Sequence, residues 1–350
     1  MANMAQAMRM ALHYGEEHLG VTDIFGEDVG PPMGGVFTVT QGLKTSFNTP
    51  LDERGIIGHA MGLALAGAKP VAEIQFCDYI FNTIDLLKLA GNSCWSSNGQ
   101  FPLNMTVMTI SGAGIHGSLY HSHSFDAIAS HLPGWKIVMP STPLDAYGLM
   151  LSSIQDPNPV LFLAPKALLR TKGEELLPGE PEDEKELRNL IDAPVEQDRT
   201  DWKPRWPNIS MLPIPIGEGK KVLTGHRATV LTYGRHVHIC RKAIESSGEL
   251  DIELIDLRTI YPYDWKMISE SVKRTGRVLI VNEDTEITNF GEHLLRRIVD
   301  EHFYDLRARP RVLAGIHVPG VGLASSLENA SVPQEEDVIN ELRGLLAELT

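Results

Sequence analysis

Met4, Met8 and Leu12 recur at helical spacing and predict an opening amphipathic helix, after which "VTDIFGEDVG" reads as a short strand running into a glycine loop. From residue 53 the pattern becomes helix, strand, helix: "ERGIIGHAMGLALAG", "PVAEIQFCD" and "YIFNTIDLLKLAG". "LNMTVMTIS" and "WKIVMP" predict two more strands, "PLDAYGLMLSSIQD" a helix, and "PVLFLAP" a strand that closes the first unit. Short apolar strands separated by longer helices imply a mainly parallel sheet covered on both faces. A second alternating unit runs from "ATVLTYG" through "IELIDLR", "RVLIVNED" and "RVLAGI" as strands, with helices between them and "EEDVINELRGLLAEL" as the terminal helix. The fold class is therefore α/β, with two doubly wound domains.

The domains are expected at residues 1–171 and 220–350. Between them, residues 172–219 are rich in Pro and Glu and lack a long apolar period, which predicts a solvated acidic linker or insertion. A docking arm for a partner is the alternative.

Composition narrows the function classes. The chain has 350 residues, 43% of them hydrophobic and 22% charged, enough for two folded cores. Its 31 basic residues against 45 acidic argue against nucleic acid and anionic membranes as partners and favour small molecules or proteins. The 3 cysteines, Cys77, Cys94 and Cys240, are widely spaced and fit neither a disulfide framework nor a paired-cysteine zinc site. No stretch approaches the roughly 20 apolar residues of a membrane span. A cytoplasmic protein is expected.

Three stretches carry candidate chemistry. "GSLYHSHSFD" holds His121 and His123 one residue apart in a loop already marked by Gly112, Gly114 and Gly117. Such a pair could begin a metal site, but alternating strands and helices are the wrong setting for a His-x-His barrel site. A loop that presents an imidazole to a ligand is the other reading. "TPLDERGIIGHAMGLALAG" places Glu53 at the mouth of a helix whose Gly58, Gly62 and Ala66 fall four apart. That stripe suits a close helix contact, either between chains or within one. In "EIQFCDYIFNTID", Gln75, Phe76, Tyr79 and Phe81 lie at a strand-to-helix transition, where an aromatic is either core or a stacking surface for a flat heterocycle.

With "GEDVG", "GGVF", "GQF", "PGWKIVMPSTPLDAYGLM", "DPNPVLFLAPKALLR", "IDLRTIYPYD" and "VNEDTEITNFGEHL", these stretches span nearly the whole chain apart from the segment around 174–213. Together they make it resemble the beta subunit of the thiamine diphosphate-dependent 2-oxoacid dehydrogenase (decarboxylating) component, of the branched-chain and pyruvate type. The resemblance implies a transketolase-like pyrimidine-binding domain, then a transketolase C-terminal-type domain. It also implies an α2β2 heterotetramer with an alpha subunit, a small 2-oxoacid substrate, and acyl transfer to a lipoyl-bearing acyltransferase component. Glu53 matches the glutamate that bonds the aminopyrimidine ring nitrogen, and protonating that nitrogen is what activates the cofactor. Tyr79 matches the aromatic packed on the pyrimidine, Gln75 and Asp28 further cofactor-binding positions, and His121 the histidine facing the substrate and lipoyl group. His123 stands at a glutamine position. Thr106, Ser153, Asp156 and Asn158 align with ligands of a structural potassium ion.

No Gly-Asp-Gly occurs in the chain. The Mg2+ that holds the diphosphate needs oxygen ligands of that kind, so the resemblance assigns most of them to the alpha subunit. Met108, Ala164, His59 and "SCWSSNGQF" depart from the family pattern near the expected substrate and lipoyl approach. The rival readings are an acetoin-cleaving or carboligating thiamine enzyme subunit and a catalytically silent interaction subunit.

Overall fold

The computed structural model describes residues 1–35, 37–194, 202–248 and 251–348. Its strands are β1 (Asp23–Gly26), β2 (Ser46–Asn48), β3 (Pro70–Phe76), β4 (Thr106–Ser111), β5 (Lys136–Val138), β6 (Val160–Pro165), β7 (Lys220–Leu223), β8 (Ala228–Thr232), β9 (Ile252–Asp256), β10 (Thr259–Tyr261), β11 (Val278–Thr285) and β12 (Arg311–Gly315). The helices are α1 (Met4–Tyr14), α2 (Glu53–Leu65), α3 (Ile84–Ser96), α4 (Asp126–Ser130), α5 (Pro143–Gln155), α6 (Glu184–Ile191), α7 (Arg235–Ser247), α8 (Trp265–Thr275), α9 (Phe290–His302), α10 (Ser325–Ser331) and α11 (Glu335–Ala347). Every strand and helix expected from the apolar periodicity is present. The additions are short: β2, β7, β10, α4, α6 and α10 contain too few residues to display a period.

The chain divides into two units, residues 1–110 with 131–216, and residues 111–130 with 217–350. In the first, strands run in the order β5–β6–β4–β3–β1–β2, and the pairs β1–β2, β1–β3, β3–β4 and β5–β6 are parallel. All residues of β4 and β6 are buried, as strands covered on both faces must be. Helix α1 starts at a reciprocal cap between Asn3 and Gln6 and packs Met4, Met8 and Leu12 into the core beside α5. In the second unit the order is β12–β11–β8–β9–β7, parallel except for β7 against β9. A separate apolar core forms around β8, β9 and β11 with α7 and α11.

The segment expected to be a solvated connector is folded onto the first unit. Helix α6 is capped by Asp183, and its Leu187 and Ile191 join the core, as do Leu177 and Ile209. Buried Arg9 pairs with Asp192 at 3.0 Å, Gln6 Nε2 donates to Asp192 at 2.9 Å, and Tyr147 OH donates to the Ser210 carbonyl at 2.8 Å. His13 stacks on Trp206 with ring centroids 4.1 Å apart, and burial lowers its pKa to about 4. The part of this segment at 195–201 lies outside the described residues. Leu187→Ala should therefore cost about 2–5 kcal/mol of stability, the range for a buried leucine, in a chemical denaturation series. A solvated connector would lose almost nothing.

Candidate functional site

Adjacent parallel strands bring their carboxyl ends to one edge, and β2, β1 and β3 do so here. Glu27 and Asp28 follow β1, Glu53 lies five residues beyond Asn48 at the end of β2, and Gln75 and Tyr79 lie at and just after the end of β3. Gln75 Nε2 donates to Asp28 Oδ2 at 2.7 Å. Tyr79 is half-buried and meets Phe76 edge-on at 5.9 Å.

Glu53 is the first residue of α2, where the unsatisfied N–H groups favour a negative charge. Its Oε2 accepts a hydrogen bond from Asn82 Nδ2 at 3.0 Å, and Oε1 has no partner among the described residues. Arg54 fixes the geometry from outside. Its guanidinium bonds both oxygens of Asp85, at 2.5 and 2.9 Å, and also the Asn82 carbonyl at 2.9 Å. The start of α2 is thereby tied to the start of α3, and the Asn82 amide is held toward Glu53.

Two further carboxyl groups belong to this cluster, and the sequence reading missed both. Glu27 has a raised pKa, caused first by burial and then by the charges of Asp28 and Glu53. Glu73, fully inside β3, is pushed up to about 7 by burial and then by Asp28, and its Oε1 has no hydrogen-bond partner among the described residues. Its register partner on β4 is Met108, which offers no charge. Tyr79 is likewise raised by burial and by Asp78, Glu27 and Glu53. Burial and neighbouring carboxylates thus favour the protonated forms of Glu73 and Glu27 at this edge. The available signal was a charged residue at an interior position of an apolar strand. Beside Glu53, a recess of about 330 Å³ is lined by Phe47, Pro50, Asp52, Gly55, Ile56 and His59, among others.

The small-residue face of α2 is open. Side chains built at Gly58 and Gly62 would meet nothing within 4 Å, so the helix contact within the chain that was one of two readings is absent among the described residues.

Of the residues aligned with potassium ligands, Asp156, Ser153 and Asn158 make side-chain hydrogen bonds of their own. Asp156 Oδ1 accepts from the backbone and side-chain nitrogens of Asn158, each at 3.0 Å, and Oδ2 accepts from the Lys136 ammonium. Ser153 Oγ donates to the Leu149 carbonyl at 2.7 Å. Thr106 Oγ1 is buried at the start of β4 with no hydrogen-bond partner among the described residues. A cation at the Asp156 carboxylate would have to displace the Lys136 ammonium, whereas Thr106 Oγ1 has no such competitor among the described residues.

The histidine loop belongs to the second unit. Ala113 N donates to Glu283 Oε2 at 3.1 Å, Gly114 N to Glu328 Oε1, and His116 N to Glu328 Oε2 at 2.8 Å. His121 is half-buried, with Nδ1 3.1 Å from the Gly117 carbonyl. A carbonyl can only accept, so Nδ1 carries the proton and the basic lone pair lies on Nε2. His123 instead lines a cavity of about 210 Å³ with Glu283, Asp284 and His317. Beneath the loop, Asp126 accepts from Ser124 and Tyr233, while burial and the Asp126 charge push Asp284 up to about 9. No group of three His, Cys, Asp or Glu among the described residues could hold a metal ion.

Two doubly wound units with an acidic, aromatic-edged group at the carboxyl ends of the first sheet define a protein of the transketolase type. Residues 1–172 match the family described as transketolase, pyrimidine binding domain, and residues 217–338 match transketolase, C-terminal domain. A solved structure titled split gene transketolase, inactive beta4 tetramer, shares the fold with a TM-score of 0.72 at 16% identity, covering 100% of both chains. Sequence relatives are nearer. The beta subunit of 2-oxoisovalerate dehydrogenase from Dictyostelium discoideum is 35% identical over 91% of this chain and 80% of its own. The corresponding protein of Pseudomonas aeruginosa is 36% identical over 90% and 87%. The pyruvate dehydrogenase E1 component subunit beta of Acholeplasma laidlawii is 35% identical over 98% and 97%. The chain belongs to the family of 2-oxoacid dehydrogenase beta subunits.

Proposed function

We propose that this chain is the beta half of a thiamine diphosphate enzyme that decarboxylates a small aliphatic 2-oxoacid and passes the acyl group to lipoamide. The observation that carries the reading is Glu53, held by Asn82 at the mouth of α2 with one carboxylate oxygen unpartnered among the described residues. Thiamine diphosphate, when bound, supplies a nucleophilic carbon for the keto group and takes up the electrons left as CO2 departs. Glu53 would hold the proton at the pyrimidine nitrogen, Tyr79 would offer its ring as a packing surface, and Gln75, which donates to Asp28, would help hold the edge around it. Glu27, its pKa raised by burial and by the charges of Asp28 and Glu53, adds a second carboxyl group to that edge. His121, with Nδ1 donated to Gly117, offers Nε2 to the acyl acceptor.

An alpha subunit completes the site in an α2β2 assembly and brings most of the Mg2+ ligands. The open Gly58–Gly62 face of α2 supports a helix contact with another chain. The names of the relatives support 2-oxoisovalerate and pyruvate as the substrates to compare. A cytoplasmic location goes with this reading, supported by three cysteines that form no disulfide among the described residues.

The test is calorimetric titration of thiamine diphosphate with Mg2+ into the chain alone and into its complex with the alpha partner. Binding is expected only in the complex. Tight binding to the isolated chain would refute the divided site.

A further inference from the structure

We propose that Glu328 is the positioning residue for His121, acting through the loop at 112–118; this rests on the role given to His121 above. Glu328 is 1% exposed and sits on the short helix α10, far along the chain from the loop it holds. Its two oxygens accept from the backbone N–H groups of Gly114 and His116, and Oε2 also lies 2.9 Å from His116 Nδ1. Glu283 holds the adjoining Ala113 N–H. Two carboxylates remote in the chain thus engage three backbone amides of one loop.

The loop needs such a hold. Gly114, His116 and Ser118 have φ of 110°, 57° and 64°, and two of these are residues for which the left-handed region is unfavourable. Backbone in that state persists only where surrounding contacts over-determine it. A buried carboxylate is suited to this, because its charge is compensated only while all its N–H donors stay aimed at it. The conformation it enforces decides where the Gly117 carbonyl points. That carbonyl accepts from His121 Nδ1, fixing both ring orientation and tautomer. The order is therefore Glu328, loop backbone, Gly117 carbonyl, imidazole, as a third group orients the base in other nucleophilic sites.

Glu328→Gln tests this, because the amide keeps one acceptor oxygen and turns a donor toward an N–H. It is made in the complex with the alpha subunit, with 2-oxoisovalerate or pyruvate as substrate and a lipoylated domain as acceptor. Acylation of the lipoyl group should fall about tenfold or more, with decarboxylation to an artificial electron acceptor within about threefold of wild type. Amide hydrogen exchange across 112–123 should rise in the same variant. A Glu328→Gln/His121→Ala double variant should be no slower than His121→Ala alone, since a residue acting only through His121 has nothing left to act on. Should Glu328→Gln fail to fold, His116→Ala on the half-exposed loop removes one of the bonds, and an about threefold or greater loss of acylation is expected.

Acylation unchanged in these variants, or losses that multiply in the double variant, would overturn the proposal. The two readings are separable. Raised exchange with an inert His121→Ala would retain the clamp and refute the role of His121, whereas a damaged His121→Ala with normal exchange and acylation in Glu328→Gln would do the reverse.

Discussion

Glu53→Gln in the assembled enzyme is expected to lower 2-oxoacid decarboxylation by roughly 10² to 10⁴, the range for losing a group that holds a proton in the transition state. Glutamine preserves an oxygen that can accept from Asn82, so the tie between α2 and α3 through Arg54, Asp85 and Asn82 survives. What disappears is the carboxyl group proposed to hold the proton at the pyrimidine nitrogen. Stability should therefore stay close to wild type while turnover collapses. Steady-state assay of CO2 release, with calorimetry to verify that thiamine diphosphate still binds, checks the claim. Near-normal decarboxylation would mean that another group, with Glu27 the nearest in kind, performs the step, and the assignment of Glu53 would be wrong.

His121→Ala is expected to separate the two halves of the reaction. Its Nδ1 is committed to Gly117, and it belongs to the second unit, whereas Glu53, Asp28, Gln75 and Tyr79 belong to the first. Removal of the imidazole should reduce acylation of a lipoyl domain roughly 10²-fold, a typical loss for one acid–base group. Decarboxylation followed with an artificial electron acceptor should change by no more than about threefold. An unaffected overall rate would remove His121 from the site. A collapse of both half-reactions would give it a role in the decarboxylation itself.

Much of this protein is legible along the chain. The apolar alternation of strands such as "ATVLTYG" and the helical recurrence of Met4, Met8 and Leu12 locate the principal elements, because each period is written within a few consecutive turns or pleats. Glu53 is legible for the same reason: a carboxylate at the mouth of a helix is a local feature. The loop that holds His121 and His123 stands out through its glycines, and the family resemblance singles out His121.

Other features could not be read there. Residues 172–219 looked like a connector because their apolar side chains are sparse, yet Leu187, Ile191 and Ile209 find a core, and Asp192 finds Arg9 from the far end of the unit. Glu73 and Glu27 become an acidic group only when β1 and β3 pair, and the Asp156 carboxylate is seen to be taken only when Lys136 lies beside it. Glu328 meets Gly114 and His116 across 214 and 212 residues of chain. The sequence by itself determined the elements and the residues displayed at element ends, since these follow from short-range periodicity and local backbone preference, and its motifs taken together carried the family resemblance. Only the tertiary structure decided which charges are buried together and which loop they hold. Those energies depend on distance and desolvation between groups remote in the chain, and no local pattern encodes them.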